Sequence, residues 1–200
     1  YTEEPVYDEF ATEAPAADGS IPESAPGDVV FDFGFTVEQN GFSFENYGGD
    51  QPVTNLTAVE LRRMFGDQVC ARIDGDECTL TPPAQQWMEQ QNDSMSGGHC
   101  EGMAVLSLMM YTNQVSPSDF GGSVASDLDL NDETLQREIA YWFTTQATDP
   151  ARGSVIRGTP MEIMETIQQM DANGETYTIG IYKEDFSGGH AITPIGVEDK

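Results

Sequence analysis

The chain has 200 residues, 38% of them apolar, and carries 35 Asp and Glu against 8 Lys and Arg, a net charge of −27. Length and apolar share suffice for one domain with a buried core. The acidity argues against nucleic acid and anionic membrane surfaces as partners, and no apolar run in the sequence approaches a membrane span.

Residues 1–28 are Pro, Ala, Glu, Asp and Ser with few apolar anchors, the composition of a disordered acidic tail or a propeptide remnant; 29–200 form the expected folded domain. The first residue is Tyr1 rather than Met, so an upstream segment is expected to have been removed. Val29 to Val37 alternates apolar with small or polar residues, and Asn40-Gly41 precedes Phe42-Ser43-Phe44, a pattern that predicts a β-hairpin. A short helix is expected from Asn55 through Leu61 to Phe65, ended by Gly66. Cys70 and Cys78 bracket a turn and are a candidate disulfide, which would place the protein in an oxidising compartment, secreted or at the cell surface. The alternative is three reduced, mostly structural cysteines in a cytosolic protein, the short spacing of two of them also suiting a partial metal site.

Thr81-Pro82-Pro83 predicts a helix start, and Cys100 opens a run, Val105, Leu106, Leu108, Met109 and Met110, apolar on almost every side. A further helix is expected from Asp132 to Ala147, and another from Thr159-Pro160 to Asn173-Gly174. Thr176 to Tyr182 alternates as a strand whose partner is the stretch from His190 to Val197. Helices first and sheet last predict an α+β fold of two segregated parts with a cleft between them.

Two glycine-rich stretches carry the chemistry. Ser96-Gly97-Gly98-His99-Cys100-Glu101-Gly102-Met103-Ala104 delivers a cysteine to the start of an apolar helix, and Gly188-Gly189-His190-Ala191-Ile192 delivers a histidine to the start of a strand. A helix N-terminus favours a thiolate, and an imidazole within reach can share its proton, which is the minimum for nucleophilic thiol catalysis. His99, next to Cys100, competes as base, but its side chain should point away from the sulfur and serve the structure or the rim of the site.

These two boxes resemble the papain-like cysteine peptidase superfamily, and its compact bacterial branches, such as bacteriocin-leader peptidases, more than papain itself. The resemblance spans 85–199. It implies a papain-like α+β fold, a central helix starting at the nucleophile and packed against an antiparallel sheet that carries the histidine. It also implies Cys100 as nucleophile, His190 as general base, a peptide or protein substrate, a thioester intermediate and no required cofactor. The family's side-chain oxyanion donor is a Gln just ahead of the cysteine; here Asn92, then Gln91, are the nearest candidates, beside the Cys100 backbone N–H. The Asn or Asp that orients the histidine normally lies on the next strand. The sequence therefore predicts that residue on a following segment, either truncated or held as a second chain after cleavage near Lys200. A strand from Ala191 to Val197, apolar on both faces, points the same way, because it would otherwise be a bare edge.

One acidic stretch suggests calcium. Asp127, Asp129, Asn131, Glu133 and Glu138 supply oxygen ligands ahead of a helix at spacings like those of an EF-hand loop, though Asp132 stands where that loop needs glycine. The alternative is that they cap the helix. The functional expectation is a secreted cysteine endopeptidase. Its rivals are an amidase or transglutaminase-like acyl transferase using the same dyad, and a non-catalytic calcium-binding or adhesion module.

Overall fold

The computed structural model describes residues 27–49, 52–183, 185 and 188–199. Most of the expected tail, 1–26, lies outside the described residues. Asp28 already belongs to the first strand, β1 (Asp28–Asp32), which pairs antiparallel with the last, β6 (Gly196–Asp199), Asp32 facing Gly196. The hairpin expected between 29 and 44 does not form. The chain turns at Gly34, whose φ of +74° favours glycine, and Val37–Asn40 closes a single helical turn, α1, with the Asn40 carboxamide accepting the Thr36 N–H. Phe42 and Phe44 stack on one another and pack against the core instead of pairing as a strand.

Helix α2 (Ala58–Phe65) starts at a capping box in which Thr57 and Glu60 satisfy each other's backbone N–H groups. The segment between the two cysteines is itself a hairpin of β2 (Cys70–Asp74) and β3 (Glu77–Leu80), closed at Gly75 and cross-linked by the Cys70–Cys78 disulfide. Helix α3 (Pro82–Ser94) follows a Thr81 cap. The central pair is α4 (Cys100–Tyr111) and α5 (Glu133–Thr145), the latter capped by Asp132, whose carboxylate accepts the Thr134 and Leu135 N–H groups. Gly102 lets these helices cross closely: a Cβ there would stand 2.0 Å from the Ile139 carbonyl oxygen. The single helix expected over 159–174 is two, α6 (Pro160–Gln168) and α7 (Met170–Asn173), because the turn tightens at Gln169, whose N–H reaches back only to Thr166.

Strands β4 (Ile179–Tyr182) and β5 (Gly189–Ile192) pair antiparallel with Ile181 opposite His190. The unbroken strand expected from Ala191 to Val197 is interrupted at Pro194, which has no N–H to give a ladder. Its second half is not the bare edge anticipated, since β6 finds its partner in β1.

The described residues thus form seven helices and three two-stranded antiparallel sheets, an α+β arrangement. Apolar packing falls into three groups. Leu106, Met110, Leu128, Leu135 and Ile139 join α4 to α5, and Leu56, Leu61, Val69, Met95 and Ala140 lie beneath α2 and α3. A smaller group, Ile167, Met170 and Val197, lies under β6. Among the described residues no helix is long and apolar enough to cross a membrane.

Candidate active site

Cys100 is the first residue of α4 and has a half-buried side chain. Its delivery to that point depends on a clamp between two glycine-containing segments. Gly49 donates its N–H to the Ser96 carbonyl at 3.0 Å, and a Cβ on Gly48 would come within 2.4 Å of the same oxygen. Gly98 has a φ of +133°, and a Cβ on it would lie 2.4 Å from Asn46 Nδ2. Asn46 Oδ1 accepts the His99 N–H at 2.7 Å. The turn before the cysteine is thereby held from the Asn46–Gly49 side as well as from its own helix.

His99 is buried, with 1% of its surface exposed, and stacks on the Tyr47 ring at 4.1 Å between centroids. Its Nδ1 lies 2.8 Å from the Tyr47 carbonyl and its Nε2 2.8 Å from Asn55 Oδ1. Burial lowers its pKa, with the Tyr47 carbonyl partly opposing. A carbonyl oxygen can only accept, so Nδ1 carries a proton and donates it to Tyr47. Both ring nitrogens are occupied, so His99 pins the cysteine's turn into the core and is not free to take a proton from the sulfur.

The β4–β5 hairpin packs across the start of α4. The Ala191 backbone N–H donates to Cys100 Sγ at 3.4 Å. The Ala191 nitrogen is two bonds from the His190 Cα, so that Cα lies within about 6 Å of the sulfur. The His190 side chain is exposed, and its ring has no hydrogen-bond partner among the described residues. At the next residue of α4, Glu101 Oε1 accepts the Thr178 hydroxyl at 3.0 Å, a second polar tie between α4 and the base of the hairpin. Burial pushes the Glu101 carboxyl above its ordinary range, the Thr178 hydroxyl acting against it. The N–H groups of Cys100, Glu101 and Gly102 precede the first intrahelical bond of α4, from Met103 to His99, and face outward from the helix start.

Of the residues expected to form the site, the structure brings together Cys100 and the strand carrying His190. It does not bring in Asn92, whose carboxamide is spent on Leu56, Oδ1 accepting the N–H and Nδ2 donating to the carbonyl, both at 3.0 Å. Gln91 lies on the same last turn of α3, where its carbonyl accepts the Ser94 hydroxyl. Asn46 and Tyr47 were not anticipated. The signal for them was the Asn46-Tyr47-Gly48-Gly49 run, whose paired glycines mark a close backbone approach.

The acidic stretch is occupied piecemeal. Asp127 accepts the Ser123 and Val124 N–H groups, Asp129 accepts from Asn131, and Glu133 stands in the first turn of α5. Glu138 pairs with Arg63 and accepts the Trp142 indole N–H. Among the described residues no three His, Cys, Asp or Glu side chains are grouped so as to hold a metal ion.

Compared with protein-family models, curated proteins and solved structures, the chain matches none of them.

Proposed function

We propose that the protein is a papain-like cysteine hydrolase acting on peptide or protein amide bonds. The observation that carries this reading is the 3.4 Å contact between the Cys100 sulfur and the Ala191 N–H, which joins the helix start to the strand bearing His190. In the proposed mechanism His190 takes the thiol proton and the Cys100 sulfur attacks the carbonyl carbon. The electron pair displaced onto oxygen is held by N–H groups at the start of α4. As that pair returns, the C–N bond breaks and His190 protonates the departing amine. Water then attacks the thioester, with His190 as base, and the acid and free thiol are restored.

The reading includes an Asn or Asp, carried by a further segment of the same precursor, that orients the His190 ring. The disulfide supports a secreted or cell-surface location, where such a bond persists. Calcium is not given a role in the reaction.

The test is alkylation of Cys100 by iodoacetamide between pH 5 and 9. Labelling at mildly acidic pH, faster than for a free thiol and abolished by His190→Ala, is the expected result. Wild-type labelling that follows a free thiol's pH profile and ignores His190→Ala would sink the hydrolase reading and favour a non-catalytic module.

A further inference from the structure

Resting on that reading, we infer that Asn46, and neither Asn92 nor Gln91, is the side-chain donor to the oxyanion, and so a catalytic residue. A carboxamide can face a backbone N–H only with its oxygen, and Asn46 Oδ1 accepts the His99 N–H at 2.7 Å. That bond fixes which way the group is turned. It leaves Nδ2 over Gly98, where a Cβ on that glycine would be only 2.4 Å from it. Asn46 is exposed, and its Nδ2 makes no hydrogen bond among the described residues.

An uncommitted amide donor is therefore held, in a fixed orientation, on the turn that ends in the Cys100 N–H. Two N–H donors, here one side-chain and one backbone, are enough to stabilise a tetrahedral oxyanion. Asn92 cannot serve while both ends of its carboxamide bind Leu56. Gly98 follows from the same arrangement, since any larger residue would displace the Asn46 carboxamide.

The experiment uses Asn46→Asp, which keeps an oxygen for the His99 N–H and removes the amide donor, with Asn46→Ala as second variant in case one fails to fold. Two reactions of Cys100 are compared at the alkaline plateau of each pH profile, where the sulfur is fully ionised in every protein. Alkylation by iodoacetamide displaces iodide at a saturated carbon and forms no oxyanion. Acylation by p-nitrophenyl acetate does: the sulfur pair bonds to the carbonyl carbon, the π pair moves to oxygen, and it returns as p-nitrophenolate leaves.

The expected result is acylation slowed about 100-fold with alkylation within twofold of wild type. Equal slowing of both reactions, or of neither, would overturn the assignment of Asn46 while leaving the cysteine–histidine reading standing. Failure of that reading has its own signature, wild-type alkylation indifferent to His190→Ala, and would remove the basis for Asn46 as well.

Discussion

The two sides of the candidate site are built very differently. On the cysteine side, α4 and α5 meet through Leu106, Leu135 and Ile139, all fully buried, and the turn before Cys100 is held by Asn46, Tyr47 and the His99 ring. On the histidine side, a two-stranded hairpin leaves Ile181 56% and Tyr182 61% exposed, and its polar ties to α4 include Ala191 to Cys100 and Thr178 to Glu101. A cysteine set in a close-packed frame and a histidine carried on a thin hairpin differ in what a mutation can do to them. Damage on the first side should appear as lost stability, and damage on the second as lost alignment.

The largest effect is expected at Gly102. A Cβ placed 2.0 Å from a backbone oxygen cannot be relieved by a rotamer change, so Gly102→Ala must push α4 away from α5. Overpacking of this kind should cost about 3 kcal/mol in urea denaturation. Gly97→Ala, with nothing within 4 Å of the added atom, is the control and should stay within about 0.5 kcal/mol of wild type. Equal losses in the two variants would mean that the helix crossing is not what makes the cysteine side firm.

Asn92→Ala comes next. It removes two hydrogen bonds and strands the Leu56 N–H and carbonyl in a part-buried position, a loss of about 2 kcal/mol. Because the carboxamide faces Leu56, the rate of Cys100 alkylation should not change. A fall in that rate without a fall in stability would return Asn92 to the site.

Acid sharpens the contrast through two groups of opposite sign. Burial lowers the His99 pKa, so the unfolded chain takes up a proton first, and stability is lost as pH falls from about 6.5. Burial raises the Glu101 pKa, so the folded protein keeps that proton longer, and the Glu101 contribution is lost as pH rises above about 4.5. Denaturation at several pH values should show a flatter acid limb in His99→Asn and a smaller loss on the rise above about 4.5 in Glu101→Gln. Parallel curves for wild type and both variants would assign the pH dependence to the other carboxylates.

Helices α2, α3, α5 and α6 were legible because they carry their own punctuation: Thr57 with Glu60, Thr81 before two prolines, Asp132, and Thr159 before Pro160. The β1–β6 pairing was not, since Val29–Val37 and Phe42–Phe44 have the local signature of a hairpin, and nothing local reveals a partner at Gly196–Asp199. Cys100 stood out because it follows Gly97-Gly98-His99 at the start of an apolar run, and His190 because it follows Gly188-Gly189. Asn46 did not, because its role depends on a clamp between segments some fifty residues apart, which periodicity does not record.

The smallest effect tests the hairpin directly. Thr178→Val keeps the shape of the side chain and deletes one hydrogen bond, to a Glu101 carboxyl that can still meet water, so global stability should fall by less than about 1 kcal/mol. The bond ties the hairpin to α4, so most of that energy should be lost from the hairpin's local opening equilibrium. Amide hydrogen exchange at Ala191 should then speed up about fivefold, the equivalent of 1 kcal/mol, while amides of Leu106 and Ile139 in the helical frame keep their wild-type rates. Since the Ala191 N–H points at the Cys100 sulfur, this exchange rate also reports how often the histidine strand leaves that sulfur. If the Leu106 and Ile139 amides accelerate equally, hairpin and helices open as one unit, and the division between a firm cysteine side and a loosely held histidine side is wrong.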